Sequence, residues 1–101
     1  MLTGKQKRYL RGIGHDLKAV IMVGKNEISE KLTGETDAAL AAHELIKVKI
    51  LESCTMDRHE VAEILAKACG ADVAQVLGRT LLLYRKSDDA KIELPKSSEK
   101  K

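Results

Sequence analysis

Gly24 and Lys25 are the residues best placed to do chemistry, because they follow an apolar run and precede a new helix. The run, residues 19–23, has the length of a strand, and Ser29 begins the helix. Asn26 completes the connecting loop. Backbone N–H groups near a helix start, a glycine and an adjacent lysine together suit a phosphate group. The loop is not a nucleotide-binding P-loop, which needs a second glycine and a Gly-Lys-Ser/Thr ending.

Basic residues upstream of this loop form a second candidate group. Lys5, Lys7, Arg8 and Arg11 share the first predicted helix. Residues 1–25 hold six Lys or Arg against one acid, whereas the rest of the chain holds twelve against fourteen. The excess positive charge therefore lies at the N-terminal end, and this asymmetry indicates an anionic partner better than the net charge of +3 does. The alternative interpretation is an ordinary solvated helix face.

The composition is that of one small domain and argues against several classes of protein. The chain has 101 residues, 44% of them apolar, and no apolar run approaches the roughly 18 residues of a membrane span. The first residues lack a signal-peptide pattern, so we expect a cytoplasmic protein. Cys54 and Cys69 form no close-spaced pair, which predicts reduced, inert thiols. His15, His43 and His59 lie in different elements, so we predict no metal site and no cofactor.

Caps and hydrophobic periodicity predict the elements that position these residues. Thr3 and Gln6 form a capping box, and Asp57 and Glu60 form another. Gly70 suits the left-handed position after a helix. The predicted helices cover about 3–14, the stretch that follows Ser29, and the stretch between Asp57 and Gly70; the predicted strands cover 19–23, 45–50, 73–77 and 81–85.

This order, α-β-α-β-α-β-β, predicts an α/β fold in a single compact domain. Helices between strands imply parallel crossovers, and the last two strands form a hairpin near Gly78, which makes a four-stranded mixed sheet. The apolar strand 19–23 is predicted to be buried, while Lys47 and Lys49 alternate onto an outward sheet face. His43, Ile64 and Ala68 are predicted to point inward on their helices, and Arg79 and Arg85 to be exposed.

Stretches spread over nearly the whole chain carry a family resemblance. They read Leu-Thr-Gly-Lys-Gln-Lys-Arg-Tyr-Leu-Arg at 2–11, Val-Gly-Lys at 23–25, His-Glu-Leu-Ile-Lys-Val-Lys at 43–49, Gln-Val-Leu-Gly-Arg-Thr-Leu-Leu-Leu-Tyr-Arg at 75–85 and Ile-Glu-Leu-Pro at 92–95. Together they resemble the bacterial YhbY family, the single-domain form of the CRM (chloroplast RNA splicing and ribosome maturation) domain.

The resemblance implies a fold like the C-terminal domain of translation initiation factor three, with a CRM-like domain over residues 1–95 and a polar, disordered tail over 96–101. It also implies a non-enzymatic protein that binds structured ribosomal RNA during large-subunit (pre-50S) assembly. Separately, we expect a monomer. Family members commonly carry a Gly-x-x-Gly loop, and here Glu27 replaces the second glycine. Gly24, Lys25 and Asn26 are therefore the loop residues expected at the RNA, with the basic residues Lys5, Lys7, Arg8 and Arg11 of the first helix.

Two further hypotheses stay open at this stage. In one, the basic helix docks onto an acidic ribosomal or assembly protein. In the other, Cys54 or Cys69 and a histidine form a small hydrolase site, which requires an exposed, thiolate-like cysteine. Tyr9 and Tyr84 are the only aromatic side chains, so we expect little base stacking and a preference for folded RNA over unstructured strands.

Overall fold

Among the residues that the computed structural model describes (2–25, 27–86, 92 and 94), four strands form one mixed sheet with helices on both faces. The elements are α1 Gly4–Gly14, β1 Ala19–Val23, α2 Glu30–His43, β2 Leu45–Ile50, α3 Arg58–Cys69, β3 Asp72–Leu77 and β4 Thr80–Tyr84. The predicted α/β class, element order and mixed sheet are confirmed. The likeness to the initiation factor stays a prediction, and the predicted tail, 96–101, lies outside the described residues.

The strand order in the sheet is β1-β2-β4-β3. β1 and β2 are parallel, as expected for strands joined by a crossover helix, and β4 runs antiparallel to both of its neighbours. β4 is therefore a central strand, while β1 and β3 form the two edges. No helix within the described ranges is both long and apolar enough to span a membrane.

α1 packs on one face of the sheet, where Ile92 and Leu94 also pack against the same core. Its capping box is present, because the Gln6 N–H donates to Thr3 Oγ1 at 3.1 Å and the Thr3 N–H donates to Gln6 Oε1 at 3.0 Å. Leu10 is fully buried against the sheet. A Cβ atom on Gly14 would lie 2.6 Å from Leu82 Cδ1, so the last turn of α1 touches the sheet more closely than another residue would permit.

α2 and α3 cover the opposite face. Ser29 Oγ accepts from the Leu32 N–H at 3.1 Å, and the Asp57 carboxylate accepts from the first N–H groups of α3. Gly70 adopts the left-handed conformation, with φ +65°. The predicted cap positions are confirmed. The core on this face includes Val23, Leu40, Val48, Leu65, Leu81 and Leu83.

Some predicted burial was wrong. In β1 only Ile21 and Val23 are buried, and Val20 is 52% exposed, because α1 packs over β2 and β3 and leaves the β1 edge uncovered. His43 is exposed on α2. Ile64 is 42% exposed because it lies beside the face of α3 that packs on the sheet. The buried positions of α3 are Val61, Ala62, Leu65, Ala66 and Cys69, and Ala68 is exposed.

Arg85 was predicted to be exposed, and that prediction was wrong. Its guanidinium donates to the Asp37 carboxylate and to the Asp37 carbonyl oxygen, the latter at 3.0 Å. It also donates to the Cys69 carbonyl oxygen, at 2.9 Å. Arg85 therefore joins the end of β4 to α2 and to the last turn of α3, and it is a structural residue.

Both cysteines are buried, and neither has the exposed thiolate that the hydrolase hypothesis requires. The Cys69 thiol lies 3.7 Å from the Thr33 carbonyl oxygen. Burial, and after it the nearby Asp37 carboxylate, raises the pKa of Cys69, so this side chain is a neutral thiol at physiological pH. The interpretation of these residues as inert thiols fits their surroundings.

Candidate nucleic-acid interface

On the face of the sheet that α1 covers, neighbouring side chains from all four strands form two rows that run across the strands. Both rows lie toward the end of the sheet where β1 and β2 finish. One row consists of Ala19, Lys47, Leu82 and Gln75, and the other of Met22, Lys49, Thr80 and Leu77. Gly14 of α1 rests on Leu82, in the first row. The second row lies beyond the helix and is named here the open row. Within it Met22 is 56% exposed and Leu77 is 65% exposed.

A groove runs between α1 and the open row, and it brings basic residues from two elements together. Its volume is about 680 Å³, and its lining residues are Arg8, Arg11, Gly12, Gly14, His15, Lys47, Gln75, Leu77 and Thr80. Arg8, Arg11 and His15 lie on one side of α1 because they are three and four positions apart. We call this feature the basic groove. It contains two of the predicted helix residues and adds a sheet lysine to them.

The other two predicted helix residues lie outside the lining of the basic groove. Lys5 is exposed nearer the N-terminus of α1, and Lys7 is half-buried on the flank of the helix. Lys5 also has a further interaction within the protein. The structure thus separates the predicted cluster into a pair at the groove, Arg8 and Arg11, and a pair beside it.

The Gly24–Lys25 loop lies at the same end of the sheet as the open row. The Leu51 N–H donates to the Val23 carbonyl oxygen at 2.8 Å, and the Ile50 N–H donates to the Arg79 carbonyl oxygen at 2.7 Å. These bonds hold the ends of β1 and β2 and the β3–β4 turn together. Lys25 is exposed at this end. Asn26, the third predicted loop residue, lies outside the described residues.

Gly24 has a packing role in addition to any role at a ligand. A Cβ atom at this position would lie 3.3 Å from Ser53 Oγ and 3.4 Å from Leu51 Cδ1. The missing side chain therefore allows the loop after β1 to rest closely on the loop after β2. This contact fixes the direction in which the following residue, Lys25, leaves the strand.

Glu27 occupies a conformation that glycine adopts readily. Its φ is +54°, and its N–H closes the turn by donating to the Gly24 carbonyl oxygen at 2.9 Å. The Thr55 hydroxyl donates to Glu27 Oε2 at 2.8 Å. The backbone at this position thus keeps a glycine-like geometry, and the carboxylate is held by the loop that precedes α3.

Comparison with known proteins identifies the family. The sequence profile of the CRS1/YhbY (CRM) domain matches residues 2–85. The chain belongs to this family. This CRM-domain protein is 44% identical over 96 residues to the "Probable RNA-binding protein YqeI" of Bacillus subtilis, a match that covers 94% of this chain and all of that protein. It is 38% identical to an "RNA-binding protein" of Haemophilus influenzae, covering 94% of this chain and 96% of the relative.

A solved structure supports the architecture of this CRM-domain protein. The solution structure of a hypothetical protein from Staphylococcus aureus aligns with a TM-score of 0.80 at 42% sequence identity. The alignment covers 94% of this chain and all of the other. The family resemblance predicted from the motifs is confirmed, and so is the fold class.

Sequence reasoning did not place several residues of the basic groove. The sequence favours helix termination or packing for His15 and an ordinary outward sheet face for Lys47, with a contact to RNA and an extension of the basic surface as the respective alternatives. Gln75, Leu77 and Thr80 were not candidates. The alternation of Lys47 and Lys49 was the available signal, but its meaning depends on which half of the sheet face α1 covers. That coverage is set by the contact between Gly14 and Leu82, which lie far apart in the sequence.

Proposed function

We propose that this protein is an RNA-binding protein whose basic groove contacts the phosphate backbone of structured ribosomal RNA. The observation that carries the proposal is that Arg8, Arg11 and Lys47 line one open groove. Arginine and lysine pair with phosphate oxygens, and an open groove admits a polymer where a closed cavity does not. The names of two relatives, which describe RNA-binding proteins, support the same class of ligand.

In this proposal the predicted site residues form three groups, each of which contacts the RNA at a different place. Arg8 and Arg11 bind phosphates within the groove, and Lys5 and Lys7 extend the positive surface along α1. Gly24, Lys25 and Asn26 form a separate loop contact at the end of the sheet. If about four to six phosphates are neutralised, the logarithm of the binding constant should fall with the logarithm of salt concentration with a slope of roughly −3 to −5.

The biological setting that we propose is the assembly of the large ribosomal subunit. Its support is the family resemblance, whose bacterial members are linked to maturing large subunits. We propose one CRM-like domain over residues 1–95 and no catalytic activity. The alternative is an assembly factor that acts through protein contacts and docks its basic helix onto an acidic protein. The experiments below distinguish this alternative from RNA binding.

We expect the Arg8→Gln/Arg11→Gln variant to bind RNA about 10- to 100-fold more weakly near physiological salt and to lose about two units of the salt slope. The measurement is a fluorescence-anisotropy titration of a structured large-subunit RNA fragment at several salt concentrations. A DNA of equal charge serves as the competing ligand. The physical reason is the loss of two phosphate contacts that lie side by side in the basic groove.

The matched control for this experiment is Lys31→Gln/Lys67→Gln. It removes the same amount of charge from exposed positions on α2 and α3, which cover the opposite face of the sheet. Equal losses in the two double variants would show that only net charge matters, and the groove would not be the site. If the unmodified protein binds neither nucleic acid, RNA binding is wrong and a protein partner becomes the explanation.

Glu27→Gln is expected to raise RNA affinity about two- to fivefold at low salt. The change removes a negative charge near Lys25, while the amide oxygen still accepts from the Thr55 hydroxyl. The titration described above measures the effect, and it should fade as salt is added. An unchanged affinity at low salt would mean that the loop does not approach a phosphate. Glu52→Gln, at an exposed position in the neighbouring loop, is the control for net charge.

A further inference from the structure

We propose that the open row, formed by Met22, Lys49, Thr80 and Leu77, seats an unpaired nucleotide of an otherwise folded RNA. This inference rests on the proposed function, because it concerns the RNA bound in the adjacent basic groove. Beyond the proposed function, it names the kind of RNA element that the protein recognises. The proposed occupant is a bulged or looped-out nucleotide beside a paired region.

Large apolar side chains are exposed on this face of the sheet. Met22 and Leu77 are more than half exposed at the two edges of the open row, and Val20 is exposed in the same edge strand as Met22. A sheet face in a small α/β domain is normally covered by helices. Here α1 stops at Leu82, and none of the described helices lies over the next row. Exposed apolar side chains that share one sheet face, here on either side of Lys49 and Thr80, mark a binding surface.

Positive charge surrounds these apolar side chains. The two lateral rows contain Lys47 and Lys49 and no acidic residue. Arg8 and Arg11 form the opposite wall of the groove, and Leu77 and Thr80 belong both to that groove and to the open row. Apolar side chains interleaved with cations match a nucleotide, which has an apolar base face beside a phosphate. A purely apolar protein partner would leave these cations without counter-charges.

The four residues of the open row include no aromatic side chain. Of the two tyrosines, Tyr84 is buried and Tyr9 lies on α1, so the open row offers aliphatic and not aromatic contacts to a base. Aliphatic contacts to a base are weaker than aromatic stacking. The row can therefore favour one unpaired nucleotide within a folded RNA without creating a preference for unstructured strands. Thr80 supplies a hydroxyl for the sugar or the base edge.

The test compares two RNA duplexes with equal numbers of phosphates, one fully paired and one interrupted by a short bulge. The unmodified protein is expected to bind the bulged duplex about five- to tenfold more tightly. The Met22→Ser/Leu77→Ser variant is expected to bind both duplexes with the affinity that the unmodified protein shows for the paired one. Both substitutions are at exposed positions, so thermal unfolding should change little.

Ile64→Ser is the control variant, because it removes an exposed aliphatic side chain from α3 on the other face of the sheet. It should keep the full preference for the bulged duplex. Equal binding of the two duplexes by the unmodified protein would overturn the inference and leave the groove proposal intact, provided that Arg8→Gln/Arg11→Gln still weakens both. A preference that survives in Met22→Ser/Leu77→Ser would also overturn it. Binding to neither duplex would overturn both proposals.

Discussion

Gly14→Val should lower the free energy of unfolding by about 2–3 kcal/mol, the range expected for overpacking a closely fitted contact. A Cβ atom at Gly14 would lie 2.6 and 2.8 Å from the two terminal methyl groups of Leu82. Leu82 is only 2% exposed and lies in β4, an interior strand, so its side chain can move aside only by repacking against its neighbours. Urea unfolding followed by circular dichroism measures the change.

Gly12→Val is the matched control, because a Cβ atom there meets no other atom within 4 Å. It reports the helix propensity of valine against glycine, which favours valine by a few tenths of a kcal/mol. If Gly12→Val and Gly14→Val change stability equally, the contact with Leu82 is not tight. A double variant, Gly14→Val/Leu82→Ala, should recover part of the loss because the smaller side chain makes room for the new one.

Gly14→Val should also weaken RNA binding under conditions in which the variant stays folded. The added side chain pushes the last turn of α1 away from the sheet, and this turn carries Arg11 and precedes His15. Both residues line the basic groove with Lys47. A variant that loses stability but binds RNA with unchanged affinity would show that the groove does not depend on the position of α1.

Local signals explain why so much of the fold could be predicted from the sequence. The caps at Thr3, Ser29 and Asp57 involve partners within three residues, and Gly70 ends α3 through its own backbone conformation. Such contacts depend little on the rest of the chain. The order of elements and the mixed sheet follow from them together with hydrophobic periodicity.

The parts that the sequence could not predict depend on contacts between distant residues. Strand 19–23 is apolar throughout, yet Val20 and Met22 are exposed because β1 is an edge strand that α1 does not cover. No local pattern reveals which strand lies at the edge. The basic groove has the same origin, because Lys47 meets Arg8 and Arg11 only when the sheet order is known. The loop residue Asn26 remains a prediction.

Arg85→Met is the other substitution with a large expected effect, a loss of about 2–3 kcal/mol in the free energy of unfolding. The guanidinium donates to one carboxylate and to two backbone carbonyl oxygens, and each such bond contributes about 1 kcal/mol. The Cys69 carbonyl is in the last turn of α3, where backbone acceptors lack partners within the helix. Methionine keeps about the length of the aliphatic stem and removes every guanidinium donor.

Two further variants decide which of these bonds matters. The Asp37 side chain is 60% exposed, so Asp37→Ala should cost less than about 1 kcal/mol, as for other exposed ion pairs. Arg85→Lys should recover only a minor part of the loss, because one ammonium group cannot reach two helices as a planar guanidinium does. If Asp37→Ala costs as much as Arg85→Met, the ion pair and not the carbonyl contacts stabilises the fold.

The same series separates a structural role for Arg85 from a role at RNA. Arg85 contacts α2 and α3, away from the basic groove, so its variants should bind RNA with unchanged affinity wherever they remain folded. Arg79→Met is the control, because that arginine is exposed and its Nη1 lies 3.5 Å from the Leu51 carbonyl oxygen; its effect on stability should stay within about 0.5 kcal/mol. If folded Arg85→Met binds RNA more weakly and its salt slope is smaller by about one, Arg85 instead contacts an RNA phosphate.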